Sequence, residues 1–563
     1  METLIEQQSI SLDDADKTIN LENTVENLTT SCTNQSVVKG EAEVKDVDVE
    51  AKAEAPLPAR PHYSVFSKKM KVLIVFMTSL GSLFSPLSST IYLPALNTIA
   101  SDLHKTVANI NLTVTSYMVF QGVAPMFFGS IGDVIGRRPV YIVAFTVYFF
   151  ANLGLALQNN YAALFVLRAM QSTGSSGTIA LGQGVMSDIV TSAERGQYIA
   201  WVTAGALLGP AFAPTIGGLL AEFLGWHSIF WFLVIAGGLY LTAYLIFVPE
   251  TARNVVGDGS LPGMKWSRPL IYYFQRRETG LEREKIEESE ELRKSRSIQA
   301  ANPFNVLRII FEKDVATILF FTALLVTTFQ CVLVVLPTQF SAIYGLSDFK
   351  IGLCYMPFSA GTIAGTLLIG KVQNWNYARV ARSIGVTVDR KRGEDLRKFP
   401  IEKARLQVVW VPVILGQLSV IAWGWVLETR TTLAAALIII TLVGLCSTAV
   451  MSALSTLLVD LYPQSPSTAT ASQNLTRCLM SAAGTAVVQY IIDAWGAGWT
   501  FTFLGLITIA ALPILLVDQK WGPKWREERH LRLKAESEKR ALRKAVKEKA
   551  KKVSQNRLEK IQP

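Results

Sequence analysis

Asp133 and Arg137 are four residues apart, Arg138 follows, and Asp188 closes a later apolar run. A carboxylate and a guanidinium so spaced can pair across a tight turn and bridge to the end of a neighbouring helix, as the glycines of Gly129-Ser-Ile-Gly-Asp133-Val-Ile-Gly136 allow. A basic membrane anchor with a glycine-rich turn would also explain the arginines, but not Asp133. Arg168 and Arg477 fall inside apolar runs, where an arginine costs about 2.5 to 3.5 kcal/mol and must face the protein interior with a partner. Glu222 lies near the end of another run. Such groups hold charge, water or a proton. No GxxxxGK[ST] loop, nucleophile elbow or HExxH helix is present, so no catalytic residue is expected. Cys32, Cys331, Cys354, Cys446 and Cys478 have no CxxC spacing, and the four histidines do not cluster with them. Neither a metal site, a disulfide framework nor a cofactor is indicated.

The elements that position these groups follow from composition. Half of the 563 residues are hydrophobic, 17% are charged, and the mean hydropathy is +0.31, which describes an all-α polytopic membrane protein. Uncharged runs of about 20 residues, the length that crosses a bilayer, number twelve. They lie near 72–93, 110–128, 139–157, 162–187, 199–221, 229–248, 316–340, 351–370, 408–427, 432–458, 470–492 and 499–518. The loops of one side carry Arg137, Arg138, Arg195 and a dense set from Arg379 to Arg405, against Lys105, Lys350 and Arg430 on the other. Both termini are therefore expected in the cytoplasm.

Five regions result: an acidic, disordered segment 1–69, a six-helix half 70–249, a central loop 250–315, a six-helix half 316–519 with a basic loop 371–406, and a basic tail 520–563. No cleavable signal peptide is expected at the start, and the Asn27-Leu-Thr29 and Asn34-Gln-Ser36 triplets would be silent in the cytoplasm. The stretch Arg276 to Arg296 reads as a charged surface helix, or alternatively as a partner-binding one. The net charge of +10 suits anionic lipid headgroups and implies no nucleic-acid partner.

Between Gly205 and Gly218, Gly205, Gly209, Ala213 and Gly217 recur every fourth residue, as do Pro210 and Pro214. In lipid this reads as a closely packed, bendable helix, either a moving part or a static tight pair.

Six plus six spans around a long central loop resemble the major facilitator superfamily, and Gly129 to Pro139 is similar to its G-x-L-a-D-r-x-G-r-r signature. Arg168-Ala-Met-Gln171-Ser-Thr-Gly174 resembles the R-x-x-q-G-x-g pattern except at Ser172, and Asp188 to Gly196 resembles D-x(5)-e-R-G. Gly205 to Gly218 is similar to the antiporter motif G-x-x-x-G-P-x-x-G-P-x-x-G-G, with Ala213 for one glycine. Pro86 to Pro94, Gly225 to Phe232, Pro249-Glu250-Thr251-Ala-Arg253 and Ser472 to Ala486 look like fungal twelve-span drug:proton antiporters, the yeast quinidine-resistance group above all. Gly370-Lys371, with Asn374, reads as a decayed second-half copy of the signature, a half that lost its latch.

The resemblance implies a fold of two six-helix halves that rock about a midplane site, and a cytoplasmic latch of Gly129, Asp133, Gly136, Arg137, Arg138 and Asp188. It implies a monomeric, proton-driven drug exporter of the plasma membrane. Spans one to three and seven to nine hold no obvious mid-membrane carboxylate, which leaves Glu222, Asp188, Arg168 and Arg477 to titrate or hold water. A pocket without buried acids suits amphipathic or weakly cationic drugs. Tyr92, Tyr117, Gln121, Gln330, Tyr355, Gln473 and Asn474 are its candidates, ordinary packing being the alternative for each. A carrier of a natural solute (amino acid, polyamine, spore-wall precursor or nutrient) and a non-transporting membrane receptor are the rival functions.

Overall fold

The structure is a computed structural model describing residues 64–190, 209–210, 212–261, 268–269, 304–384, 400–462 and 466–559, all within the unit His62–Pro563. The expectations for the acidic segment and its Asn27 and Asn34 triplets, for Arg195 and Gly205, for Arg276 to Arg296, and for Arg390 to Lys398 lie outside the described residues.

Every regular element among the described residues is helical. The first half contains α1 (Lys68–Thr90), a 3-10 turn (Leu93–Ala95), α2 (Leu96–Asp102), α3 (Val107–Ile135), α4 (Arg137–Leu157), α5 (Tyr161–Ile189), α6 (Phe212–Leu224) and α7 (His227–Phe247). Two short helices, α8 (Arg253–Val256) and α9 (Asn305–Ile310), belong to the central loop. The second half contains α10 (Lys313–Tyr344), α11 (Asp348–Ile384), α12 (Ile401–Leu406), α13 (Trp410–Glu428), α14 (Leu433–Leu461), α15 (Pro466–Ala510) and α16 (Leu512–Glu559).

Local chemistry sets the boundaries. Ser67, Thr106 and Asn160 accept hydrogen bonds from Met70, Asn109 and Ala162 amides, capping α1, α3 and α5. Gly136, at φ +119°, separates α3 from α4 in a conformation that excludes a side chain at little cost only for glycine. Two helix starts are capped from a distance. Glu250 accepts from the amides of Arg137 and Arg138, and Glu428 from those of Ala497 and Gly498 just past the kink at Gly496.

Nine helical segments among the described residues are long and apolar enough to cross a bilayer. They take in ten of the twelve expected spans, because α15 and the start of α16 form one continuous segment through spans eleven and twelve. Span five is described from Gly209 on, with Ala211 outside the description. Span four, α5, is a 29-residue helix but is not among the nine. It carries Arg168, Gln171, Ser172, Ser175, Ser176 and Thr178, all fully buried. Its polar face packs against α1, α3 and α4 and is answered inside the bundle, while Phe165, Val166 and Met170 of the same helix are exposed.

The halves join along α3 and α15, and again at the end of the bundle opposite Gly136. There Thr98 donates to Asp348 at 2.5 Å, Asn97 to the Pro337 carbonyl at 3.1 Å, and the Phe349 amide to Glu222 at 2.8 Å.

Within the first half α4 and α5 cross closely at Gly174, where a Cβ would stand 2.5 Å from the Tyr148 nitrogen and 2.6 Å from the Ala144 oxygen. Both are backbone atoms that cannot swing away. Gly174→Leu is therefore expected to lower the melting temperature of the detergent-purified protein or abolish its monodisperse peak, overpacking of this kind costing about 1–3 kcal/mol or more. An unchanged melting curve would show that α4 and α5 can separate freely.

Candidate functional site

At the basic end, the turn at Gly136 delivers Arg137 between two carboxylates. Its Nη2 is 2.5 Å from Asp133 Oδ1 and its Nε is 3.1 Å from Asp188 Oδ2. Arg137 passes so close to Gly184 of α5 that a Cβ there would enter the guanidinium. Arg138 turns the other way and donates to the Val248 and Leu245 carbonyls at the end of α7, at 2.7 and 2.8 Å. Arg253 Nε reaches the Asp188 carbonyl at 2.9 Å. Four helices, α3, α4, α5 and α7, are thereby tied at one point. Glu250 completes it, with Oε1 2.9 Å from the Arg137, Thr251 and Ala252 amides and Oε2 3.2 Å from that of Arg138. Burial pushes its carboxyl above the ordinary glutamate range, and the amide donors oppose that rise. From sequence, Glu250 entered only through the Pro-Glu-Thr resemblance; a carboxylate directly after the last apolar residue of a span was the signal available.

In the second turn of α5, Arg168 is fully buried between two tyrosines, 4.5 Å from the Tyr92 ring centre and 4.4 Å from that of Tyr117. Its Nη1 donates to Gln171 Oε1 at 2.6 Å and to the Ser88 carbonyl at 3.1 Å. Gln171 is held in turn by Asn152 at 2.6 Å, and Asn152 by the Tyr148 carbonyl at 2.7 Å. Nε and Nη2 of Arg168 have no hydrogen-bond partner. Ser172, the departure from the family pattern, is fully buried and donates to the Tyr117 carbonyl at 2.6 Å.

A polar chain runs from this arginine to the second half. Tyr117 donates to the Ser85 carbonyl at 2.8 Å, and Gln121, one turn on, to the Ser85 hydroxyl at 3.2 Å. Asn474 of α15 donates to the Gln121 carbonyl at 2.9 Å and accepts from Arg477 at 2.6 Å. Among the described residues no carboxylate pairs with Arg168 or Arg477.

The structure thus gathers Tyr92, Tyr117, Gln121, Asn474, Arg168 and Arg477 along one seam. The other candidates stand apart from it. Tyr355 is buried with its hydroxyl on the Leu333 carbonyl, Gln473 accepts from Ser455, and Gln330 is half-buried on α10. Glu222 is exposed at the far end of the bundle, against the Phe349 amide. Asn152 and Ser85, which orient the cluster, were missed; a lone amide in apolar span three was the only hint of the first.

The Gly-Pro segment lies between the halves. A Cβ on Gly209 would stand 2.8 Å from the Leu87 nitrogen of α1, and one on Gly217 would enter the Ile91 carbonyl. On its other side Gly218 abuts the Asp348 carbonyl, and Gly352 of α11 faces the Pro214 carbonyl at 2.5 Å from its own Cβ position. Pro214 leaves the Pro210 carbonyl without its helical donor, and Ser359 supplies one from α11 at 3.3 Å. Ala213 is fully buried in this contact.

In the second half, Lys371 and Asn374 are exposed, so the decayed signature holds nothing together. This half nevertheless has a charge pair of its own at the basic end, made by other residues. Arg405 of α12 pairs with Asp460 at 2.9 Å and reaches Gln373 at 3.4 Å, the guanidinium coming from before span nine and not from after span eight.

Comparison with known proteins agrees with this architecture. The family model of the Major Facilitator Superfamily matches residues 78–485. The MFS-type transporter phiD of Fungal sp. (strain ATCC 74256) is 41% identical over 88% of this chain and 74% of its own length. MFS-type transporter clz19 of Cochliobolus lunatus is 38% identical over 89% and 93%. Citrate exporter 1 of Aspergillus niger is 37% identical over 86% and 92%.

The Glu250 geometry yields a test. Glu250→Ala strips the Arg137 and Arg138 amides of their acceptor, and unpaired buried donors cost about 1–3 kcal/mol. The variant should melt below wild type, and Glu250→Gln, which keeps one acceptor oxygen, should fall between them. Equal melting of all three would mean that the carboxylate does not cap α4.

Proposed function

The chain belongs to the major facilitator superfamily, and from that premise we propose that it is a secondary active exporter of organic solutes bearing a carboxylate or similar anionic group. The carrying observation is Arg168. A guanidinium with two unsatisfied donors, fully buried and without a carboxylate among the described residues, is an incomplete ion pair. A cargo carboxylate would complete it, in the bidentate geometry that guanidinium favours. Arg477, reached through Gln121 and Asn474, adds a second positive group from the other half. Two positive groups turn the reading from weakly cationic drugs toward anions, and a 37% identical relative named a citrate exporter supports the same direction.

The tyrosines and amides around Arg168 would hold the apolar body of such a solute. Exchange against protons remains the reading for the energy source. The packing of Gly209 to Gly218 on both α1 and α11 supports it, because a segment touching both halves must be remade when they rock. In this reading the basic end and both termini face the cytoplasm, the membrane is the plasma membrane, protons are the exchanged ion, and the monomer is the working unit. Asp133, Arg137 and Asp188 latch the basic end in one state and part in the other.

Proteoliposomes with an imposed pH gradient test this. Citrate, a monocarboxylate and a lipophilic cation are offered in turn. Carboxylate flux is expected, with Arg168→Gln raising KM about ten- to a hundredfold, the worth of a charged hydrogen bond of about 1.5–3 kcal/mol. Movement of the cation with no carboxylate flux would overturn the proposal.

A further inference from the structure

Residues 520–563 read as a basic tail, yet α16 runs without a break from Leu512 to Glu559, and one face of it is committed to the second half. Arg526, Arg529, Arg532 and Glu536 recur at three- and four-residue steps, which places them in a row along the helix. Each has a partner. Arg526 lies 3.5 Å from Glu402 of α12, Arg529 2.5 Å from Asp314 of α10, Arg532 against Glu312, and Glu536 2.9 Å from Arg308 of α9. Arg529 also donates to the Leu461 carbonyl at 2.9 Å and covers the Tyr462 ring at 4.2 Å. The two outer pairs are in contact with water and contribute little alone, whereas the inner two are buried.

The buried end of this ladder does not balance. Asp518, 1% exposed, lies behind it on the same helix. Its Oδ1 accepts from Thr317 of α10 at 3.3 Å, and its Oδ2 has no partner. A Cβ on Gly522 would meet Glu402 Cγ at 3.1 Å and Asp518 Oδ1 at 3.5 Å, so the two carboxyl side chains converge on that glycine. The charged groups acting on Asp518 are Glu402 of α12 and Asp314 of α10, whose own partners are Arg526 and Arg529 of α16. Three carboxyls thus face two guanidiniums. Four carboxyl side chains are buried among the described residues: Glu250, Asp314, Glu402 and Asp518. The first has amide donors and the next two have arginines; Asp518 has a single hydroxyl. Burial pushes the Glu402 carboxyl up as well, with Arg526 opposing, so Glu402 is a poor place for a further charge to stand beside.

We infer that Asp518 is a proton-binding site: its carboxyl carries a proton while α16 is docked, and loss of that proton frees α16 from the second half. The sign follows from the charge count. At low pH the cluster is neutral and docking is complete; as pH rises the third carboxylate appears beside Glu402, unpaired and buried, and docking is lost. The consequence reaches the seam between the halves. Val306 of α9 packs on Met126 of α3 and Leu475 of α15, one from each half, and Arg308 and Glu312 at either edge of α9 are held by α16. A proton taken up at the basic end therefore fixes a connector that touches both halves, whichever solute is carried.

Distance measurement between spin labels at Phe311 and Leu531, both exposed and one residue from the Glu312 and Arg532 pair, reads docking in the full-length protein in nanodiscs. Between about pH 6 and about pH 9, above the ordinary aspartate range, the ratio of short- to long-distance populations should fall, by up to tenfold per pH unit while the docked form holds a proton that the undocked form has lost. Asp518→Asn should keep the short distance throughout, and Asp518→Leu should do the same. Infrared difference spectra of wild type across that range should lose a protonated-carboxyl band, a readout that needs no variant. A wild-type distance that does not respond to pH, a titration unchanged in Asp518→Asn, or the absence of that band would overturn the inference.

Discussion

A charge or a peptide group that leaves water inside a bilayer must find its partner within the protein, because lipid offers none. Arg168, Glu250 and the serines of α5 are the residues on which that demand falls most heavily. Glu250 meets it with backbone amides from its own turn and from the start of α4, so one carboxylate both terminates α7 and launches α4. The serines and threonines of α5 meet it with carbonyls such as those of Tyr117 and Gly81, and that face of the helix is thereby turned to the bundle interior. Arg168 meets it only in part. Its Nε and Nη2 are left without a hydrogen-bond partner.

The two halves solve the same problem at the basic end by different routes. In the first, Arg137 sits between Asp133 and Asp188, and all three belong to the helices that cross the membrane. In the second, the guanidiniums come from outside the spans: Arg405 from α12, and Arg526 and Arg529 from α16. A latch made of spanning helices can part only when those helices tilt. One made with a terminal helix can part by undocking, which needs no change in the bundle itself.

Close backbone approach does for the interface between halves what ion pairs do for the ends. At Gly218 and Gly352 the chain runs near enough to the other half that a methyl would collide, as it would at Gly209 and Gly217 against the first half's own Leu87 and Ile91, and hydroxyls of Thr215 and Ser359 reach across to carbonyls. Such contacts gain packing and hydrogen bonds without large side chains to rearrange. The antiporter-like motif is therefore also an interface motif, with α1 on one side and α11 on the other.

Much of this was legible along the chain. Hydropathy located the starts of eleven spans to within a few residues, though the helices of spans eight and twelve run on to Ile384 and Glu559, and α5, the polar one, was found despite its serines because charge is sparse throughout it. Asp133, Arg137, Arg138 and Asp188 were identified together because their spacing is local or their resemblance specific. What escaped were partners distant in sequence: Glu250 for the α4 amides, Asn152 for Gln171, and Arg526 and Arg529 for Glu402 and Asp314. The basic tail looked like surface because arginine at three-residue steps is as common on a solvated helix as on a docked one. The sequence by itself determined the membrane-spanning helical class, the polar groups that lipid would have to accept, and the glycines that allow close approach, since each is a property of a residue and its neighbours. Only the tertiary structure decided which charges are answered, because pairing in a medium of low dielectric depends on distances between segments that composition and spacing do not encode.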